Sequence, residues 1–315
     1  MKYLVSRLAY AAWALVVAVP PLVAAQVALA QTYAVATKPN VEYVVHEGVK
    51  LTGDFYLPTG LDKAPVIVAV HGGGWQAGSP DSLNAWAPFM ARNGYAVFAI
   101  RYRLAKPGAG SYPAAVYDVK AAVQFVRAKA AELGFDPTRV ALAGASAGAH
   151  LASLVGIAGN EPQFSTRYRD DPNAAVPADV KVVISYYGVY DMQAQWLHDQ
   201  ITRPRDQITE KFLGASPMQN RRIYFDASPT SYATVEKNEK SRTRFLLIHG
   251  TNDDIVDPQT QSQVFLTALK QAGFFARSIV VPGSGHFWAS EPVEEPGSYG
   301  AQAAPQMLRF LQGAL

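Results

Sequence analysis

"RVALAGASAGAHLASLVGIAG", residues 139–159, decides the fold, and it changes character in the middle. After Arg139, the strand of residues 139–145 is an apolar run without alternation, the pattern of a strand buried on both faces. Residues 146–159 are small and apolar and suit a helix packed tightly against its neighbours. Between them "GASAG" (Gly144–Gly148) must turn the chain sharply. A G-x-S-x-G pentapeptide between a strand and a helix holds its serine, here Ser146, above the carboxyl edge of a sheet. The flanking glycines and alanines keep that crowded turn free of side-chain clashes.

Working outward, "VEYVVHEG" and "KLTGDFYLP" alternate like an antiparallel hairpin. "APVIVAV" (64–70), "NGYAVFAI" (93–100), "VKVVISYYG" (180–188), "RFLLIHG" (244–250) and "ARSIVVPGSGH" (276–286) read as further strands. Helical spacing marks residues 112–134, which stop at Gly134, and residues 257–273. "AQAAPQMLRFLQGAL" is expected to close the chain as a helix interrupted at Pro305. Strands alternate with helices from residue 64, so the expected fold class is α/β: a mostly parallel central sheet with helices on both faces, opened by the hairpin. Residues 189–243 break the rhythm. They hold short helical pieces, "DMQAQWLHDQI" and "QITEKFLG", and are expected to form a small lid.

The N-terminus reads separately. "MKYLVSR" carries Lys2 and Arg7, an apolar stretch follows, and Ala28-Leu29-Ala30 offers a small-x-small site. Residues 1–30 are therefore expected to be a signal peptide cleaved after Ala30, leaving residues 31–315 as one domain in the periplasm or outside the cell. The apolar run is also long enough for a membrane anchor, but Pro20, Pro21 and the Ala-Leu-Ala site favour cleavage, with no stable membrane association afterwards. Removing Lys2 and Arg7 takes the formal charge from +3 to +1. No basic patch points to nucleic acid. The chain has no cysteine, which excludes disulfides, a thiolate nucleophile and a lipidated cysteine. A mature chain of about 285 residues builds a sufficient core without them.

A serine hydroxyl is a weak nucleophile unless a base takes its proton and an acid orients the base. "IHGTNDDIVD" offers Asp253, Asp254 and Asp257 past one strand, and "VVPGSGHFW" offers His286 past the next. The order Ser, Asp, His along the chain suits this architecture. "HGGGW" (71–75) supplies the remaining part. Attack on a carbonyl builds charge on its oxygen, and backbone N–H groups meet that charge well. Glycine lets a backbone come close, so Gly73 and Gly74 are the expected donors, with Ala147 as the third.

These motifs together resemble the α/β-hydrolase superfamily. "HGGGW", "RYRL" (101–104), the 112–152 stretch and "LLIHGTNDDIVDPQTQSQVFLTALKQAG" are similar to its esterase/lipase branch, both the hormone-sensitive-lipase-like carboxylesterases and the bacterial feruloyl/acetyl esterase-like enzymes. In that branch the acid is followed by any residue, an aliphatic and Val. This selects Asp253, followed by Asp254, Ile255 and Val256, with Asp254 next in line. The resemblance implies a carboxylic ester hydrolase working through an acyl-enzyme, with no cofactor and no metal, on a small-molecule or polymer-linked ester. Amide or formamide hydrolysis, as in aryl formamidase, is the second reading. A non-catalytic binding protein is the third, and the complete set of parts speaks against it.

Other residues have plainer readings. His71 is expected to hold the glycine loop, and His150 and His249 to be buried and satisfied. His46 and His198 read as surface or lid residues. Asp191 caps a turn, and Asp118 and Asp136 are structural. Trp75, Tyr187 and Trp288 are the candidates for lining a substrate pocket.

Overall fold

A computed structural model describes residues 32–315, so the expected signal peptide lies outside the described residues. Eight strands form one sheet: β1 (Val35–His46), β2 (Val49–Pro58), β3 (Ala64–Val70), β4 (Ala96–Ile100), β5 (Phe135–Ala145), β6 (Val182–Tyr186), β7 (Arg244–Gly250) and β8 (Ala276–Val281). Their order is β1-β2-β4-β3-β5-β6-β7-β8. The β1–β2 and β2–β4 pairs are antiparallel and all the others parallel. The chain leaves β3 for β4 on one side, then crosses back to β5 on the other. The carboxyl ends of β3 and β5 therefore flank a topological switch point, where open α/β sheets form a crevice.

The unbroken apolar run of β3 is explained by burial on both faces. Val66, Val68 and Val70 enter one core layer with Phe98, Leu142 and Leu151. Ile67 and Ala69 enter the other with Val97, Ala141 and Ile184. The first layer is covered by α2 (Ala114–Ala128) and α4 (Ala147–Ala158). The second is covered by α1 (Trp86–Arg92) and α10 (Tyr299–Ala314). Every residue of α4 is buried, which accounts for its small side chains.

Three features depart from expectation. Helix α1 has no sequence signal: Pro88 lies inside it and no side chain caps its start. Helix α10 begins at Tyr299, where the Ser298 side chain accepts from Ala301 N–H, and it runs through Pro305 without interruption. The proline is exposed, while Ala303, Ala304, Met307 and Leu311 bind that helix to the core. His46 is no surface residue. It is 1 % exposed, with Nδ1 2.7 Å from Asp118 and Nε2 2.8 Å from Asp171, and its ring stacks on Tyr168. Burial pulls its pKa down, but the hydrogen bonds to the two carboxylates outweigh burial and raise it.

Residues 189–243 carry the short helices α5 (Met192–Thr202), α6 (Ile208–Leu213), α7 (Arg221–Asp226) and α8 (Val235–Ser241). Asp191 caps α5 by accepting from Ala194 N–H at 2.9 Å. Between β7 and β8, α9 spans Ser262–Gln271. It starts later than the pattern suggests, because the Asp257 carboxylate first holds a turn through Gln259 and Thr260 N–H.

Candidate active site

Ser146 is the first residue past β5 and has φ 54°, ψ −118°, a strained conformation for a residue with a side chain. Two contacts fix the turn. Its N–H donates to Tyr186 O at 2.9 Å, and its carbonyl accepts the His150 N–H at 3.0 Å. Gly148 sets how close α4 comes to β3. A Cβ there would stand 2.1 Å from Val70 O and 2.4 Å from His71 O.

The ends of β7 and β8 bring the other two side chains to the serine. Asn252 N–H donates to Ser284 O, and Gly283 N–H to Thr251 Oγ1, both at 2.9 Å, so the two loops are tied together. Asp253 and His286 emerge from them. His286 Nε2 lies 3.0 Å from Ser146 Oγ, and His286 Nδ1 lies 2.7 Å from Asp253 Oδ2. Asp253 Oδ1 accepts from Ile255 N–H (3.0 Å) and Val256 N–H (2.9 Å), which holds the carboxylate in orientation. Asp254 is exposed and points its carbonyl at His198 Nε2, and Asp257 is committed to its own turn. Of the three aspartates, only Asp253 reaches His286.

The glycine loop runs beside this row. Gly73 has φ +115°, and a Cβ there would lie 2.1 Å from Ala77 O, so the tight turn in which Gly73 O accepts from Gln76 and Ala77 N–H admits no side chain. Among the described residues neither the Gly73 nor the Gly74 N–H has a hydrogen-bond acceptor. Ala147 N–H is at the first position of α4, where no intrahelical acceptor exists. Three free donors thus flank the serine.

Trp75 acts as the anchor of this loop. It is 2 % exposed, stacks on Phe212 with centroids 4.6 Å apart, and donates its indole N–H to His150 Nδ1 at 3.2 Å. His150 Nε2 in turn lies 2.7 Å from Ala227 O, so this imidazole is neutral with its proton on Nε2. Burial lowers its pKa to about 4. His71 is similar: Nδ1 meets Gly72 O at 2.7 Å, the ring stacks on Tyr102, and burial lowers its pKa to about 4. His249 is buried as expected but not satisfied, since its Nδ1 has no partner among the described residues.

Two cavities meet at Ser146. One, of about 220 Å³, is lined by Leu83, Tyr187, Phe287 and Ala289. The other, of about 230 Å³, holds His286 and Ile208 together with Gln195 and Asp199 of α5 and Arg203 just past its end. Tyr187 has its ring 4.5 Å from that of His286. Trp288 is 2 % exposed and packs on Tyr186 and Tyr187, whereas its neighbour Phe287 is 62 % exposed and lines both cavities. Sequence reading did not single out Phe287, Gln195, Asp199 or Arg203. The α5 residues carried one legible signal, polar positions spaced four apart.

The sheet order, the strained serine turn and the row of side chains define an α/β-hydrolase of the esterase/lipase type. The chain belongs to the BD-FAE family, whose model matches residues 53–269. It is 32 % identical over 214 residues to the esterase LipQ of Mycobacterium tuberculosis, covering 67 % of this chain and 47 % of that protein. It is 30 % identical over 235 residues to the esterase LipC of the same organism, covering 71 % and 53 %. The chain thus spans about half the length of these curated relatives. Among solved structures it is similar to a truncated carbohydrate esterase from gut microbiota, with TM-score 0.71, 25 % identity, and 90 % of this chain and 97 % of that one covered. It is also similar to carboxyl esterase 2 of Tuber melanosporum, with TM-score 0.71, 26 % identity, and 89 % and 86 % covered.

Proposed function

We propose that the protein is an exported serine hydrolase that cleaves carboxylic esters through an acyl-enzyme. The observation that carries this is the unbroken row Ser146 Oγ, His286, Asp253, at 3.0 and 2.7 Å. Ser146 Oγ attacks the ester carbonyl while His286 Nε2 takes its proton. Asp253 orients the imidazole and stabilises its charged form. The N–H groups of Gly73, Gly74 and Ala147 meet the charge that grows on the carbonyl oxygen; one such donor is worth about 3 kcal/mol of barrier. His286 then returns the proton to the leaving alkoxide. Water, deprotonated by the same imidazole, releases the acid and restores Ser146. Tyr187 and Phe287 shape the entrance, and Trp75 holds the donor loop in place. The names of the relatives support the ester reaction. The charged, apolar and small-x-small order of residues 1–30 supports export, with cleavage after Ala30.

The test is a panel of p-nitrophenyl acyl esters, methyl ferulate, acetylated xylan and an anilide, run with wild type and Ser146→Ala. Ser146-dependent ester turnover is expected. Cleavage of the anilide alone would shift the reading to amide hydrolysis, and undiminished activity in Ser146→Ala would remove it.

A further inference from the structure

Asp253 is oriented by two neighbouring peptide units. The unit joining Asp254 to Ile255 donates its N–H to Asp253 Oδ1 at 3.0 Å, and the unit joining Ile255 to Val256 donates its N–H at 2.9 Å. The carbonyl on the far side of each unit faces the lid. His198 Nε2 of α5 donates to Asp254 O at 2.9 Å. Gln195 Nε2, also of α5, donates to Ile255 O at 2.9 Å. Arg203 Nη2, just past the end of that helix, donates to the same oxygen at 3.1 Å. The lid therefore grips from behind the same two peptides that hold the acid.

The grip has its own support. Gln195 and Asp199 lie four residues apart and share a face of α5. Asp199 is 1 % exposed, and its Oδ1 accepts from Gln195 Nε2 at 2.9 Å and from Arg203 Nη2 at 2.8 Å. Both donors are thus fixed on one buried carboxylate while they reach Ile255 O.

A peptide unit is planar and stiff, with its N–H and C=O pointing opposite ways. Holding its oxygen sets the direction of its N–H. A carbonyl that accepts a hydrogen bond also polarises its own unit, which strengthens the bond made by the N–H. A mere fastening for the lid could use any carbonyl of the loop. These bonds fall on the two whose N–H groups serve Asp253. We infer that Gln195, His198 and Arg203 are positioning residues for Asp253, acting through the two peptide units, and that seating of the lid completes the row of Ser146, His286 and Asp253. This rests on the esterase reading above and adds the lid's part in it.

The experiment measures kcat and KM on p-nitrophenyl acetate for wild type, Ser146→Ala, Gln195→Met, His198→Ala and His198→Gln. Gln195→Met and His198→Ala are repeated in an Asp253→Ala background, and thermal unfolding checks that each variant is folded. Gln195→Met is expected to lower kcat on the order of ten- to a hundredfold with KM little changed, the effect of a displaced rather than a missing group. His198→Ala, at a half-buried position, should give a smaller loss in the same sense, and it carries the test where Gln195→Met does not fold. His198→Gln should recover that loss, because its amide N–H reaches about as far as the imidazole Nε2–H. In Asp253→Ala neither substitution should change the residual kcat by more than about twofold, since the group they act on is gone. Full kcat in both Gln195→Met and His198→Ala overturns the inference and leaves the esterase intact. Equal fold losses with and without Asp253 also overturn it, because the side chains would then act on the substrate or on the fold alone. Wild-type turnover no greater than that of Ser146→Ala overturns it together with the esterase reading.

Discussion

Gly148→Ala isolates what the serine turn requires. Each nearby atom is backbone: Val70 O would stand 2.1 Å from the new Cβ and His71 O 2.4 Å. Real Cβ atoms essentially never approach a heavy atom within 3.0 Å, so α4 must retreat from β3 by the difference of about 0.9 Å. No flexible side chain is available to yield. The retreat carries Ser146 and Ala147 away from Gly73 and Gly74, and it lengthens the 3.0 Å contact with His286. A misplacement of about 1 Å costs on the order of a hundredfold in rate. The overpacking itself costs about 1–3 kcal/mol, and in a domain of this size that lowers Tm by roughly 2–10 °C. Gly313→Ala is the control, because nothing lies within 4 Å of its Cβ in helix α10; it should be neutral or stabilise by about 0.5–1 kcal/mol. The assay is kcat/KM on p-nitrophenyl acetate beside thermal unfolding followed by circular dichroism. Gly148→Ala with wild-type turnover and wild-type Tm would refute the reasoning.

Asp253→Asn should keep the fold and lower kcat by on the order of 10⁴-fold, since the amide no longer fixes the imidazole tautomer; Asp254→Asn, at an exposed position, should change kcat little, and the reverse ranking would move the acid to Asp254. The two buried imidazoles make stability fall in acid. Their folded pKa of about 4 lies below the ordinary 6.5, so the unfolded chain binds protons first as pH drops. Their contribution, about 3 kcal/mol each, is complete above pH 6.5 and is lost as pH falls toward 4. His46, with its raised pKa, contributes below pH 6.5 and loses that contribution as pH rises through its folded value. Denaturant midpoints across pH 4–8 for wild type and His150→Gln check this, the variant showing the shallower acid slope. Leu83, Ala145 and Ala289 line both the 220 Å³ cavity at Ser146 and a neighbouring apolar cavity of about 40 Å³. Leu83→Ala should join the two and raise kcat/KM for longer acyl chains relative to acetate by roughly tenfold per methylene newly accommodated; an unchanged acyl profile across p-nitrophenyl esters would place the acyl group elsewhere.

Where a local pattern had one physical solution, the sequence was sufficient. The continuous apolar runs of β3 and of the second half of β5, the glycines at the turn and the order of Ser146, Asp253 and His286 all follow from a parallel sheet whose loops meet at one edge. Choosing Asp253 over its neighbours needed the resemblance, since all three aspartates follow β7 and only geometry shows one of them 2.7 Å from His286. Other features depend on contacts between distant segments. His46 is buried only because Asp118 in α2 and Asp171 in a long irregular loop converge on it. Helix α1 forms around Pro88 because Trp86, Phe89 and Met90 fill the second core layer, which no local propensity announces. The aromatic signal was legible but ambiguous by one residue. Phe287 has φ 59°, and from that turn the Phe287 ring stands in the entrance while Trp288 packs beneath it.

The central claim is that Ser146 is an activated nucleophile. The most direct measurement is intact mass after treatment with diethyl p-nitrophenyl phosphate, with the adduct mapped by peptide sequencing. The account predicts one diethylphosphoryl group on wild type, located on Ser146, and none on Ser146→Ala. An unlabelled, folded wild type, or equal labelling of the variant, would contradict it.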